Sequence, residues 1–223
     1  MTALPAAVLW DLDGTLVDTE PYWWQAEGDL VESFGGSWSL EQGQALIGSG
    51  LDYSAGVLQA AGVAMERDEI GTLLGNQVLD MMRQRVPWRP GVPALLHALH
   101  EAGVPQAIVT MSLRPTAAWM AEQLGAGVIS VVISGDDVEF PKPNPDPYLR
   151  AAAQLGVDIR DCVAVEDSTP GTAAAMAAGA VTFGVIAHVP LTADAAHVIL
   201  PDLSEMTVDR LSVLYSELRA SHV

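Results

Sequence analysis

The sequence predicts an α/β protein: a doubly wound parallel sheet interrupted by an inserted α-helical cap. Three observations carry this expectation. Short apolar runs alternate with helix-length stretches along most of the chain, the pattern of βα units. One long segment, residues 19–86, breaks that alternation and reads as helices alone. Two of the apolar runs end in acidic pairs, at the place where an open parallel sheet keeps its ligands.

Ala6-Ala7-Val8-Leu9-Trp10 is the first strand, a short apolar run closed by Asp and Gly within 6–11. After it, Pro21 to Phe34, Leu40 to Ile47, Leu51 to Ala61 and Glu66 to Arg85 read as helices. Gly35-Gly36, Gly48 to Gly50 and Gly62 separate them. Residues 19–86 are therefore expected to form a four-helix cap, with hinges around Asp18-Thr19-Glu20 and Val86-Pro87; residues 1–18 and 87–223 form the core. Strands near 105–110, 128–134, 162–166 and 181–186 follow, with Val198-Ile199-Leu200 a weaker sixth. Helices are expected at 91–102, 114–124, 146–155, 170–178 and 204–219.

Composition narrows the function. Half of the 223 residues are hydrophobic and 17% are charged, which is ample material for a packed core. A net charge of −18 and a pI near 4.3 argue against nucleic acid and anionic membranes as partners, since both need a basic face. One cysteine excludes an internal disulfide and fits a reducing cytoplasm. The first strand begins by about Pro5 with no Lys or Arg before it, leaving no room for a signal peptide, and no apolar stretch approaches the ~20 residues of a membrane helix. A cytoplasmic monomer is expected.

Period-two geometry puts Asp11 and Asp13 on one side of the strand end, with Leu12 on the other. Two carboxylates facing one space need a cation, a shared proton or distinct roles. A second acidic pair, Glu166-Asp167, closes Cys162-Val163-Ala164-Val165; Ser168 or Thr169 is placed to cap the helix that Pro170 and Gly171 open. A third strand, Gln106-Ala107-Ile108-Val109, ends in Thr110-Met111-Ser112. The sole lysine, Lys142, sits among Pro141, Pro143 and Pro145, where fixed φ angles stiffen the backbone. It reads either as a placed cation or as a solvated lysine in a proline turn.

Taken together these four places resemble the haloacid dehalogenase superfamily, in its phosphate-handling, beta-phosphoglucomutase-like branch with a helical cap. The motifs are Asp-x-Asp-Gly-Thr from Asp11 to Thr15, a strand-end Thr110, Lys142 before Pro143-x-Pro145, and Glu166-Asp167-Ser168. The resemblance implies a Rossmann-like core and a Mg²⁺-dependent phosphatase acting on a small phosphate ester, a sugar or polyol phosphate. In that reading Asp11 attacks phosphorus to give an aspartyl-phosphate, and Asp13 protonates the leaving oxygen and then activates water. Mg²⁺ is expected on Asp11, the main-chain carbonyl of Asp13 and Asp167, with Glu166 a nearby or water-mediated ligand. Thr110 and Lys142 would hold phosphate oxygens, helped by amides of residues 12–14 and 111–112, including Met111 and Ser112. Where many relatives carry Asn or Ala, Met111 leaves only its amide.

Substrate choice is expected in the cap, with Glu20, Trp23 and Trp24 as candidate contacts. Sugar-phosphate mutases of this group carry a cap histidine ten residues after the second aspartate; here that position is Trp23, which cannot accept a proton. Trp23-Trp24 reads as a stacking surface for a sugar or as cap core. Arg114 reads as a solvated helix start, His97 and His100 as surface residues, and Cys162 as core. His188 follows the fifth strand with no motif behind it. The rival functions are a phosphosugar mutase and a catalytically idle binding protein on the same fold.

Overall fold

A computed structural model describes residues 3–220. The outermost residues of the expected core, 1–2 and 221–223, lie outside the described residues. Six parallel strands form one sheet: β1 (Ala7–Trp10), β2 (Gln106–Val109), β3 (Val131–Ile133), β4 (Cys162–Glu166), β5 (Val181–Val185) and β6 (Val198–Leu200). Their order across the sheet is β3-β2-β1-β4-β5-β6. The weak sixth strand is thus present, paired at the edge with Phe183 opposite Val198.

Helices cover both faces, so the strands are continuous apolar runs rather than alternating ones. Along β1, Val8 and Trp10 join one core layer, with Leu95, Leu96 and Leu99 of α5 (Val92–Glu101) and Leu211 and Tyr215 of α9 (Val208–Ala220). Ala7 and Leu9 join the other. There Tyr148, Ala151 and Ala152 of α7 (Asp146–Leu155) meet Ala174 and Ala175 of α8 (Thr169–Ala178). Alanines on this face let α8 lie close to the sheet, which matters because β4 delivers its carboxylates beside it. One polar core residue, Gln106, is fully satisfied: it accepts from Trp10 Nε1 and donates to the carbonyls of Leu96 and Val128.

Between β1 and α5 the chain forms α1 (Glu20–Ser33), α2 (Leu40–Gln44), α3 (Leu51–Ala60) and α4 (Arg67–Gln84). Leu30, Val31, Leu58, Ile70, Leu74 and Val78 are buried among them. The outgoing and returning strands of this insert run side by side, with the Asp18 N–H donating to the Pro87 carbonyl and the Arg89 N–H to that of Leu16. α6 (Arg114–Gln123) follows β2.

Three elements are shorter than the sequence suggests. The expected helix 40–47 stops at Gln44, because 46 and 47 turn back onto Gly43 and Gln44 with i→i+3 bonds before Gly48. The strand expected over 128–134 is Val131–Ile133, since a turn closing Val128 onto Gly125 uses up its first residues. The last helix begins at Val208 rather than 204; Asp202 Oδ1 accepts from the Ser204 N–H, a local turn that competes with helix. Among the described residues no helix is long and apolar enough to cross a membrane.

Candidate active site

Strand order reverses between β1 and β4, and a crevice opens beyond their carboxyl ends, where open α/β sheets bind ligands. Asp11 leaves β1 there, its N–H still on the Val165 carbonyl, and Glu166 and Asp167 end β4. Carboxylate oxygens of Asp11, Glu166 and Asp167 lie within 4.8 Å of one another, all three side chains buried. Two glycines make this crowding feasible. A Cβ on Gly14, which sits at φ +87°, would stand 2.0 Å from Asp167 Oδ2. One on Gly171 would stand 2.0 Å from Glu166 Oε1.

Lys142 is the cation among them. Its side chain is only 2% exposed, so the reading of a solvated lysine is excluded. Nζ donates to Asp11 Oδ1 at 2.6 Å, to Glu166 Oε1 at 2.6 Å and to the Val109 carbonyl at 2.8 Å. All three ammonium donors are thereby used. Tyr148 Oη also donates to Glu166 Oε1, at 2.6 Å, while Oε2 accepts from the Ser168 hydroxyl. Ser168, rather than Thr169, caps α8, accepting from the Gly171 N–H.

One ammonium does not balance the cluster. Burial, followed by Glu166 and then Asp13, pushes the Asp11 carboxyl up to about 8 despite the opposing charge of Lys142. Asp167 is raised well above the carboxylate range by burial and by Asp11 and Glu166. Burial alone would lower Lys142, but Asp11 and Glu166 outweigh it and raise the ammonium above its ordinary value. A buried set of hard oxygen donors with excess negative charge fits a divalent hard cation.

Asp13 accepts four hydrogen bonds, as many as Glu166. Oδ1 accepts from Thr19 Oγ1 at 2.6 Å and Trp23 Nε1 at 3.2 Å. Oδ2 accepts from Ser112 Oγ at 2.7 Å and Thr110 Oγ1 at 3.2 Å. Hydroxyls from the β2 end and donors at the start of α1 therefore meet on one side chain. Of the amides expected to serve an oxyanion, those of Gly14 and Ser112 are taken by the Val17 carbonyl and Thr110 Oγ1, leaving those of Leu12, Asp13 and Met111.

The cavity in front of these groups spans about 670 Å³ including its open mouth. Glu20, Trp23, Met111 and Lys142 line it, but Trp24 does not. Trp24 instead meets His188 edge-on at 5.0 Å, and His188 Nε2 lies 2.6 Å from Asp18 Oδ1. His188 thus ties the core to the start of the insert. Sequence reasoning missed Tyr148, Thr19 and Glu27, the last a buried cavity-lining residue on α1. Its only signal was spacing: Glu20, Trp23 and Glu27 fall at i, i+3 and i+7, one helix face.

A buried lysine among three buried carboxylates thus stands at the switch point of a doubly wound sheet. The chain belongs to the haloacid dehalogenase-like hydrolase family, whose sequence pattern matches residues 8–185. It is 32% identical over 183 residues to hexitol phosphatase A of Escherichia coli (strain K12), covering 77% of this chain and 78% of that protein. Phosphoglycolate phosphatase 1 of Pseudomonas aeruginosa is 28% identical over 216 residues, 92% of this chain and 79% of that one. Among solved structures, beta-phosphoglucomutase from Clostridium difficile superposes with a TM-score of 0.83 at 18% identity, over 96% of this chain and 98% of the other. That likeness speaks to the fold alone.

Proposed function

We propose that this protein is a Mg²⁺-dependent phosphatase that hydrolyses a small phosphate monoester, a sugar or polyol phosphate, through an aspartyl-phosphate on Asp11. The observation that supports this most is the buried Asp11–Lys142 pair, 2.6 Å apart, in a cavity also lined by Asp13. An Asp11 oxygen attacks phosphorus, the bond from phosphorus to the alcohol oxygen breaks, and a proton from Asp13 ends on that oxygen. Asp13 then takes a proton from water as the water oxygen attacks the phosphoaspartate; the bond to Asp11 breaks and inorganic phosphate leaves. Phosphate monoesters react so slowly unaided that enzymes reach up to ~10²¹-fold acceleration on them, which demands strong charge stabilisation.

Asp11, Asp167 and the main-chain carbonyl of Asp13 would hold Mg²⁺, which offsets negative charge gathered at phosphorus. Glu166 acts from behind: its two oxygens already serve Lys142, Tyr148 and Ser168. Residues 19–86 act as the cap of a working monomer. Hydrolysis is favoured over mutase chemistry because Trp23 offers Asp13 an N–H donor and no base. Release of p-nitrophenol from its phosphate ester, abolished by chelation and restored by Mg²⁺, is the direct test; full turnover in excess chelator would sink this reading.

Two further outcomes follow from the geometry. Asp13→Asn should cost roughly 10²–10⁴-fold on alkyl phosphates, the usual contribution of a positioned acid–base group. An aryl ester needs less protonation of its leaving oxygen, so phosphoenzyme formation from it should suffer less. Equal losses on both in single-turnover measurements would contradict the acid role.

Asp11 also makes metal-free stability depend on pH. Its folded value of about 8 stands above the ordinary 3.8, so between those limits the unfolded chain has released a proton that the folded one retains. Rising pH in that window therefore favours unfolding. Mg²⁺ should raise the thermal midpoint more at about pH 8 than at about pH 5, where a proton competes for the same oxygens. Equal shifts at both would count against a site built on Asp11.

A further inference from the structure

Asp13 stands in the core, yet two of its four donors, Thr19 Oγ1 and Trp23 Nε1, come from the start of α1 in the insert. That helix start has no side-chain cap of its own. Thr19 occupies the N-cap position, but its hydroxyl accepts from no helix amide and donates to Asp13 instead. The aim of both donors therefore rests on whatever fixes the beginning of α1 to the core.

The loop after β5 supplies that hold. Its root is fixed to the sheet, the Ile186 N–H donating to the Leu200 carbonyl at 2.9 Å. The Ile186 carbonyl accepts from Nη2 of Arg89, on the returning strand of the insert, at 2.7 Å. His188 Nε2 then meets Oδ1 of Asp18, on the outgoing strand, at 2.6 Å. An ionised carboxylate only accepts, so the proton between them sits on Nε2. The same ring stands edge-on to Trp24, with 5.0 Å between centroids. Trp24 is itself wedged against α2, since a Cβ on Gly43 would fall 2.6 Å from its Cδ1. One imidazole thus grips the chain immediately before Thr19 and immediately after Trp23, the two residues of α1 that donate to Asp13. Neither His188 nor Asp18 is among the residues that line the cavity.

We infer that His188 is a positioning residue for the acid–base step: through Asp18 and Trp24 it fixes the start of α1, so that Thr19 and Trp23 hold the Asp13 carboxyl in line with the leaving oxygen. The inference rests on the phosphatase reading, in which Asp13 protonates that oxygen. His188 touches neither substrate nor Asp11, Lys142 and the cation site, so its loss leaves the nucleophile and its charge balance in place. What changes is the placement of one carboxyl, and a misplacement of about 1 Å can cost about 10²-fold.

The test compares two esters of nearly the same shape, p-nitrophenyl phosphate and phenyl phosphate, in single-turnover phosphoenzyme formation by the Mg²⁺-loaded protein. Phenyl phosphate has the more basic leaving oxygen and depends more on a proton from Asp13. Asp13→Asn sets the scale, losing more on phenyl than on p-nitrophenyl phosphate. His188→Ala should lose about tenfold or more in maximal rate on phenyl phosphate and less than about threefold on p-nitrophenyl phosphate, with the half-saturating concentrations unchanged. Retained reaction with the p-nitrophenyl ester shows at the same time that the variant is folded. His188→Gln places an N–H donor at about the depth of Nε2 and should recover most of the lost rate; recovery no better than in His188→Ala overturns the role of the Asp18 bond. Asp18→Ala should reproduce the defect, and the double variant should be no worse than either single one, because both remove the same contact. Additive losses, or equal losses on the two esters, make His188 a merely structural residue and overturn the proposal. If Asp13→Asn itself fails to separate the esters, the acid role falls and its positioning falls with it; if Asp13→Asn separates them and His188→Ala does not, the role of His188 alone is lost.

Discussion

Asp11→Asn should leave a folded protein with no measurable turnover. Loss of a nucleophile that works as part of a unit typically costs at least about 10⁴-fold, and an amide cannot form the acyl-phosphate. The substitution is unusually clean because the native carboxylate is under electrostatic stress. Burial, then Glu166 and Asp13, pushes it up to about 8, so a neutral isostere relieves repulsion as it removes the chemistry. Asparagine Oδ1 can still accept from Lys142, which keeps Glu166 as its counter-charge. At about pH 8 and without metal, the variant should therefore melt no lower than the wild type. Rapid acid quench with an aryl phosphate should trap a phosphorylated wild-type chain, seen by intact mass, and none in the variant. A phosphorylated Asp11→Asn chain would move the nucleophile to another residue and end this mechanism.

The loops that form the candidate site were legible because each is a local event in the chain: an apolar run, its end, and an acid, a hydroxyl or a lysine just beyond. Parallel sheets gather such ends at one edge, so Asp11, Thr110, Lys142, Glu166 and Asp167 converge although up to 156 residues separate the first from the last. What could not be read was the second partner of each group. Tyr148 meets Glu166 only because α7 packs on the face that α8 also covers. His188 meets Asp18 and Trp24 across the junction of core and insert. Trp23 packs against the core cluster, one of its two sequence readings, but its Nε1 also donates to Asp13, a contact set by how α1 is seated rather than by anything in its neighbours along the chain. Glu27 was visible only as a spacing. A glutamate at i+7 on an amphipathic helix reads as part of its solvated face until tertiary packing buries it.

Lys142→Met tests the electrostatic design from the other side and should be the more damaging change. Removing the ammonium leaves Asp11 and Glu166 facing each other without compensation, and breaking a buried pair in this way typically costs about 3–5 kcal/mol of stability. Those carboxylates can recover by taking up protons, so the variant should lose stability as pH rises, with the deficit smallest in mild acid. Catalytically, an anionic nucleophile must approach a dianionic ester, and the lost charge is felt most in the transition state. kcat should fall by roughly 10²–10³-fold or more, not merely KM rise. Lys142→Arg should rescue poorly, because a planar fork cannot reproduce three short contacts to Asp11, Glu166 and the Val109 carbonyl. Lys142 is the only lysine, so amine chemistry reports on it with little ambiguity. With its side chain 2% exposed and every donor engaged, Lys142 should resist acylation in the native protein and react only once the chain unfolds. Rapid labelling of the folded enzyme, with activity kept, would mean that the buried ammonium does not hold Asp11 in solution, and the charge argument for this site would fail with it.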